Sequence, residues 1–246
     1  LEENPQTAAF KLAYIDFLRQ SGQQQKAVAM AEELAAANPQ QPKFQLRLAG
    51  LYAANQQEAL AEKTLKEAIK AQEQNTQLQM ALADFYVRQN RIEDAIAVYQ
   101  SILAGTPTPQ EAVQARTSLA GLYLGRNKLD LAGAELEKVF RKDSGNVQAH
   151  FLQGQLYLKQ KNGDQAIAEL RQVIKKEPDF LPAYTHLAQA HFLNQHPRNA
   201  VSILEKALEK NPAYPPARKA LIDHALRRKN WDEALTHLQV LAEQRP

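Results

Sequence analysis

Apolar and polar positions along this chain follow two helical rhythms that take turns. One places apolar side chains at i, i+1 and i+4, as in Leu82, Ala83 and Tyr86; the other places them at i, i+4 and i+7, as in Ala95, Tyr99 and Ile102. Both fit a 3.6-residue period, so each rhythm predicts an amphipathic helix. The pair of rhythms recurs. Ala27, Ala61, Ala95, Ala132, Ala166, Ala200 and Ala234 are spaced by 34, 34, 37, 34, 34 and 34 residues. Nine positions before these alanines stand Leu18, Tyr52, Tyr86, Tyr123, Tyr157, His191 and Ala225. Twelve positions after them stand Pro39, Glu73, Pro107, Ser144, Pro178, Pro212 and Pro246. A fixed period of this length predicts stacked helix pairs, each burying its apolar face against its neighbours. The expectation is fourteen helices in seven antiparallel pairs, with no strand.

The residue types suit that arrangement. Ala83 and Ala95 have almost no side chain, so two helix backbones can approach closely there. The prolines that close most periods lack an N–H and cannot continue a helix. Pro42, Pro182, Pro215 and Pro216 fall at the start of a first helix, and Pro197 at the start of a second, where the missing N–H costs little. None of the twelve prolines falls in a predicted helix interior. Gly22 and Asn90 occupy the same place in the turn between the two helices.

The 34-residue helix–turn–helix period, with Ala near position 20 and Pro at position 32, resembles the tetratricopeptide repeat (TPR) family. The resemblance implies an all-α fold, a right-handed superhelical solenoid of antiparallel helix pairs. By register the repeats are 8–41, 42–75, 76–109, 113–146, 147–180, 181–214 and 215–246. Gln153, Glu73 and Ser144 depart from the pattern. An insertion, Gln110-Glu111-Ala112, is expected to lengthen a loop. Pro5 matches the closing position of a preceding repeat, so residues 1–5 are expected to be its tail, and the chain an excerpt from a longer, bacterial-type array. At the other end Leu235, Leu238 and Leu241 are expected to stay partly uncovered and to favour self-association through terminal repeats.

Composition narrows the function classes. Hydrophobic residues make up 44% and charged residues 23%, enough for a packed core. Cysteine is absent, which excludes disulfide frameworks, thiol nucleophiles and cysteine zinc sites. The net charge of +3 is too small to imply a polyanion partner. No apolar run approaches a membrane span. The 28 glutamines and 40 alanines resemble bacterial extracytoplasmic arrays, an argument for the periplasm or outer membrane over the cytoplasm.

Catalytic chemistry finds no foothold. The six histidines include His186, His191 and His196, spaced by five, which puts successive rings on different helix faces; a metal pair wants i, i+4. His191 occupies the tyrosine position of the repeat and reads as core. Glu32-Glu33, Glu93-Asp94 and Asp232-Glu233 read as solvated pairs rather than a converging acid–base dyad. The nine glycines never form a phosphate loop or a nucleophile elbow. No catalytic, metal or cofactor site is expected, and the chain reads as a non-enzyme.

What remains is a binding surface. In TPR proteins the first helix of each pair lines the inner face, and positions 2, 5, 9, 12 and 13 commonly touch ligands. Carried over by register, the resemblance implies a concave site that includes Met80, Asp84, Arg88, Leu124, Phe151, Gln155, Leu158, Gln189, Phe192, Lys219 and Arg227. Phe151 and Phe192 are expected at its apolar centre, with Leu158 between them. Asp84–Arg88 and Asp223–Arg227 also have the i, i+4 spacing of pairs that only support a helix. A two-carboxylate clamp for chaperone tails is disfavoured, because Leu12 and Asp16 stand where it needs Lys and Asn. Nucleic acid is disfavoured too, since Asp16, Asp84 and Asp223 interrupt any basic groove. The expected function is a protein–protein interaction scaffold that holds a peptide segment or a partner helix. The alternative is a positioning segment of a larger export or outer-membrane assembly protein, or of an enzyme.

Overall fold

The computed structural model describes residues 5–243. Leu1–Asn4 of the expected leading tail, and the closing Pro246, lie outside the described residues. Among those described, the chain forms fourteen α-helices and no strand. The first helices of the pairs are α1 (Pro5–Gln20), α3 (Pro42–Ala54), α5 (Thr76–Arg88), α7 (Pro109–Gly125), α9 (Val147–Lys159), α11 (Leu181–Leu193) and α13 (Pro215–Arg227). The second helices are α2 (Gln24–Ala37), α4 (Glu58–Ala71), α6 (Ile92–Ala104), α8 (Leu129–Phe140), α10 (Gly163–Lys176), α12 (Pro197–Lys210) and α14 (Trp231–Glu243). The fold is all-α, a solenoid of helix pairs. It divides into two compact units, Leu1–Ala115 and Arg116–Pro246.

The alanine register is the close contact within each pair. Ala27, Ala61, Ala95, Ala132, Ala166 and Ala200 are wholly buried, and Ala234 nearly so. Leu65, Leu136, Leu170 and Leu204, one turn further along the second helices, are buried as well. At Gly154 the approach is closer still. A Cβ there would lie 2.7 Å from the Leu170 side chain, so even a methyl group would force Leu170 or the helix spacing to shift. Phe151, Leu170, Val173 and Leu187 form one apolar cluster of the C-terminal unit, and Tyr184, Leu204 and Leu221 the next.

The turns inside the pairs are built alike. Gly22, Gln56, Asn90, Asn127, Lys161, Gln195 and Lys229 all adopt positive φ, from 57° to 78°. The following N–H donates to the carbonyl five residues back, as in Gln57 to Tyr52 at 2.8 Å and Asn162 to Tyr157 at 2.8 Å. This is the Schellman closure, and it satisfies carbonyls that a helix end leaves unpaired. Side chains tie neighbouring inter-pair loops together: Gln72 Nε2 donates to the Gln40 carbonyl, and Lys210 pairs with Asp179 at 2.8 Å.

One expectation about the frame needs correction. The insertion at 110–112 lies inside a helix rather than a loop. Thr108 caps α7: its Oγ1 accepts from the Glu111 N–H at 3.3 Å, while Glu111 Oε2 accepts from the Thr108 N–H at 2.7 Å. This capping box, with Pro109 at the first helical position, starts α7 one turn early and gives it 17 residues. α1 begins at Pro5, the last residue of the expected leading tail. On α14, Leu235 and Leu238 are 54% and 46% exposed, while Leu241 packs against Ile222, Ala225 and Ala234.

Candidate functional site

In the C-terminal unit the first helices of successive pairs present one face. Two hollows lie along it. One, of about 440 Å³, is lined by Gly121, Leu124 and Gly125 of α7, Gln155, Leu158 and Lys159 of α9, and His186 and Gln189 of α11. The other, of about 370 Å³, is lined by Thr185, Gln189 and Phe192 of α11 and by Ala220, Asp223, His224 and Arg227 of α13. Gln189 belongs to both, so the hollows join across α11. Glycine at 121 and 125 leaves the first one open, since neither carries a side chain to fill it.

The polar edges of this face are ordered by local hydrogen bonds. His186 Nδ1 lies 2.8 Å from the Pro182 carbonyl, so it carries the ring proton and donates. The remaining nitrogen, Nε2, accepts from the Gln155 side-chain amide at 3.2 Å, linking α9 to α11. Phe192 packs against the His224 ring with centroids 5.1 Å apart. Burial, then the nearby Arg228, holds His224 below the ordinary histidine range, which keeps it neutral beside Phe192. Arg227, Lys159 and Asp223 supply charge at the rim.

The expected site residues separate into groups. Gln155, Leu158, Gln189, Phe192 and Arg227 come together in the joined hollows, with Leu124 on the floor at 3% exposure. Phe151 does not form the apolar centre expected of it. Its ring is 8% exposed and held edge-on between Phe180 and His186, at 4.9 and 5.0 Å. Lys219 is exposed on α13 but lines neither hollow. In the N-terminal unit, Met80 is buried in the packing of α5. Arg88 lines a separate hollow of about 320 Å³ with Leu46, Gly50 and Phe85. The Asp84 carboxylate accepts the Tyr99 hydroxyl at 2.7 Å, and Arg88 Nε donates to the Asp84 carbonyl rather than pairing with its carboxylate. Asp16 pairs with Arg47 of the next first helix. Among the described residues no three side chains converge as metal ligands, and no helix is long and apolar enough to cross a membrane.

The tetratricopeptide repeat profile matches residues 18–83, 56–119, 123–191 and 191–246, most of the chain. The chain belongs to the tetratricopeptide repeat family. Solved structures of similar fold agree. A tetratricopeptide repeat protein from Parabacteroides merdae superposes with a TM-score of 0.74 over 95% of this chain and 91% of its own, at 16% identity. MamA from Desulfovibrio magneticus matches with a TM-score of 0.59 over 70% of this chain and 96% of its own, at 16% identity. A chain of the Cut9–Hcn1 hetero-tetramer matches with a TM-score of 0.71 over 92% of this chain and 44% of its own, at 15% identity. No curated protein matches the sequence. At these identities the likeness shows the fold alone, and the TPR fold is in general a protein-interaction scaffold.

The TPR register alone misses His186 and His224. Both stand on first helices, one position beyond the commonly contacting ones. The signal was there in part. His186 follows Thr185, and His224 follows Asp223, both already on the expected inner face, and a ring as wide as imidazole reaches around the helix to the same hollow.

Proposed function

We propose that the C-terminal unit holds an extended peptide segment along α7, α9, α11 and α13. The observation that carries this reading is the continuity of the two hollows through Gln189. An extended segment needs alternating apolar seats and amide partners. Leu124, Leu158 and Phe192 supply the seats. Gln155 and Gln189 supply side-chain amides that both donate and accept. Lys159 and Arg227 outnumber Asp223 at the rim, which favours a segment carrying acidic side chains. A rigid repeat array offers this surface without refolding, so little ordering entropy opposes binding. That a chain of similar fold is part of the Cut9–Hcn1 hetero-tetramer supports the same class of role.

The test is peptide-display selection on the whole chain, followed by mapping of a selected peptide by amide chemical shifts. Shifts confined to α7, α9, α11 and α13 are expected. Phe192→Ala and Gln189→Lys should each weaken that peptide about tenfold, as loss of a well-packed anchor or of a paired amide does. Gln189 is exposed, so its substitution should change melting little, and it separates lost binding from the stability that Phe192→Ala costs by opening the half-buried contact of Phe192 with the Tyr184–Leu221 cluster. Shifts mapping to the second helices instead would contradict the reading.

A further inference from the structure

A cavity of about 310 Å³ opens on the opposite side of the C-terminal unit, between α10, α11 and α12. Arg171 of α10, His191 of α11, and Asn199, Ser202 and Lys206 of α12 line it. His191 is 3% exposed, and neither of its ring nitrogens has a hydrogen-bond partner. Burial, reinforced by the charges of Arg171 and His196, holds this ring below the ordinary histidine range. The ring is therefore neutral at pH 7, with one N–H to donate. Tyr184, also on the lining, spends its hydroxyl on the Pro178 carbonyl at 2.8 Å.

The N-terminal unit holds the same cavity, between α2, α3 and α4, with a volume of about 390 Å³. Its lining residues precede their counterparts by 139 positions: Glu32 matches Arg171, Tyr52 matches His191, Lys63 matches Ser202 and Glu67 matches Lys206. There the polar groups satisfy one another. The Tyr52 hydroxyl donates to Glu32 at 2.5 Å, and Lys63 pairs with Glu67 at 3.9 Å. In the C-terminal copy both carboxylates are replaced by cations and the hydroxyl by imidazole. No carboxylate lines that cavity, and its buried ring is left without a partner.

We propose that this cavity binds a phosphate dianion, free or as the phosphomonoester end of a small molecule, with Arg171 and Lys206 on its oxygens; the His191 ring below, whose nitrogens are covered in the empty cavity, turns to donate once the anion is seated. Two cations match a dianion. A guanidinium offers the forked donors that suit phosphate oxygens, and the ammonium acts as a point charge. Ser202 and Asn199 at the mouth add neutral donors. The cavity is wide enough for the phosphoryl group and a few further atoms.

The test is a titration of the whole chain, followed by amide and histidine-ring chemical shifts, with inorganic phosphate in one arm and glycerol phosphate in the other. Sodium chloride at matched ionic strength is the control. Saturable shifts of the His191 ring and of the α10 and α12 amides around Arg171 and Ser202 are expected from at least one phosphate and not from chloride. Equal affinities point to free phosphate, and tighter glycerol phosphate to a phosphomonoester. The double variant Arg171→Glu, Lys206→Glu should bind at least about tenfold more weakly, the loss expected for charge-assisted hydrogen bonds. Both side chains are exposed, so circular dichroism and melting should show this variant folded. If it melts early, Lys206→Gln alone provides the second reading, with a smaller loss of affinity. The proposal is overturned if neither phosphate saturates, if chloride reproduces the shifts, or if the folded variants bind as the parent does.

Discussion

The two copies of the cavity on the second-helix side show what a repeat frame fixes and what it leaves free. In both, three helices meet and bring the same register positions to one spot. In the N-terminal unit those positions carry Glu32, Tyr52 and Glu67, and the cavity closes on itself through the Tyr52–Glu32 hydrogen bond. In the C-terminal unit they carry Arg171, His191 and Lys206, and the cavity is left with two cations, no carboxylate and an unpartnered ring. Small residues at the helix contacts set the frame. Exposed positions on the second helices, which no packing constrains, set the chemistry.

The comparison breaks most severely if the frame itself is broken. Ala166 is wholly buried at the contact of α9 and α10. Ala166→Arg should cost at least about 2 kcal/mol from overpacking and a desolvated charge, and Ala27→Arg should cost as much in the other unit. Thermal melting checks both, and an unchanged midpoint would show that the alanine register does not mark the tight contact.

Acid should separate the two units. Burial by itself would raise the Glu62 carboxyl, but hydrogen bonds from Lys66, Arg91 and Tyr86 outweigh it and hold it at about 2. In an unfolded chain a glutamate sits at about 4.3. The folded value is the lower one, so the stability this carboxylate contributes is complete above about pH 4.5 and drains as pH falls toward 2. The loss should be on the order of 1–3 kcal/mol. Val201 stands at the matching position of the C-terminal unit and has nothing to titrate. Amide exchange between pH 5 and 3 should therefore loosen α4 and α5 before α12, and Glu62→Gln should flatten that dependence.

A smaller effect concerns the turns. Lys161 and Gly22 occupy matched positions, both at positive φ. Lys161→Gly should gain about 0.5–1 kcal/mol by relieving a conformation that side chains disfavour, and Gly22→Ala should lose a similar amount. Chemical denaturation of the two variants gives the sign directly.

The fold was legible in the sequence because its determinants are periodic. Alanines at helix contacts and prolines at helix ends repeat with the frame, and a period of 34 can be read without any structure. The start of α7 was legible too, in Thr108-Pro109-Gln110-Glu111, but the capping box was hidden by the habit of assigning insertions to loops. The turns were half visible: Gly22 and Asn90 announce positive φ, whereas Gln56, Lys161, Gln195 and Lys229 adopt it because the Schellman hydrogen bonds impose it. The site was legible only as a face. Register put Gln155, Gln189 and Phe192 on the inner side. It could not show that Phe151 turns inward against Phe180, since that depends on the ring's rotamer and its neighbours in three dimensions. Nor could it show that His191, correctly read as buried, is left without a partner, because that depends on Arg171 standing one repeat earlier where Glu32 stands in the first copy.

The contrast between the two cavities is tested most directly by one pair of melting curves, recorded in phosphate-free buffer. Tyr52→Phe removes a hydroxyl that has a partner and should lower the midpoint, by an amount corresponding to about 1 kcal/mol. His191→Phe removes buried ring nitrogens that have none and should leave the midpoint unchanged or raise it, by up to about 1 kcal/mol. Opposite signs are predicted. Equal losses from the two substitutions would mean that His191 is already satisfied, and would contradict the view that the second cavity stands open to a ligand.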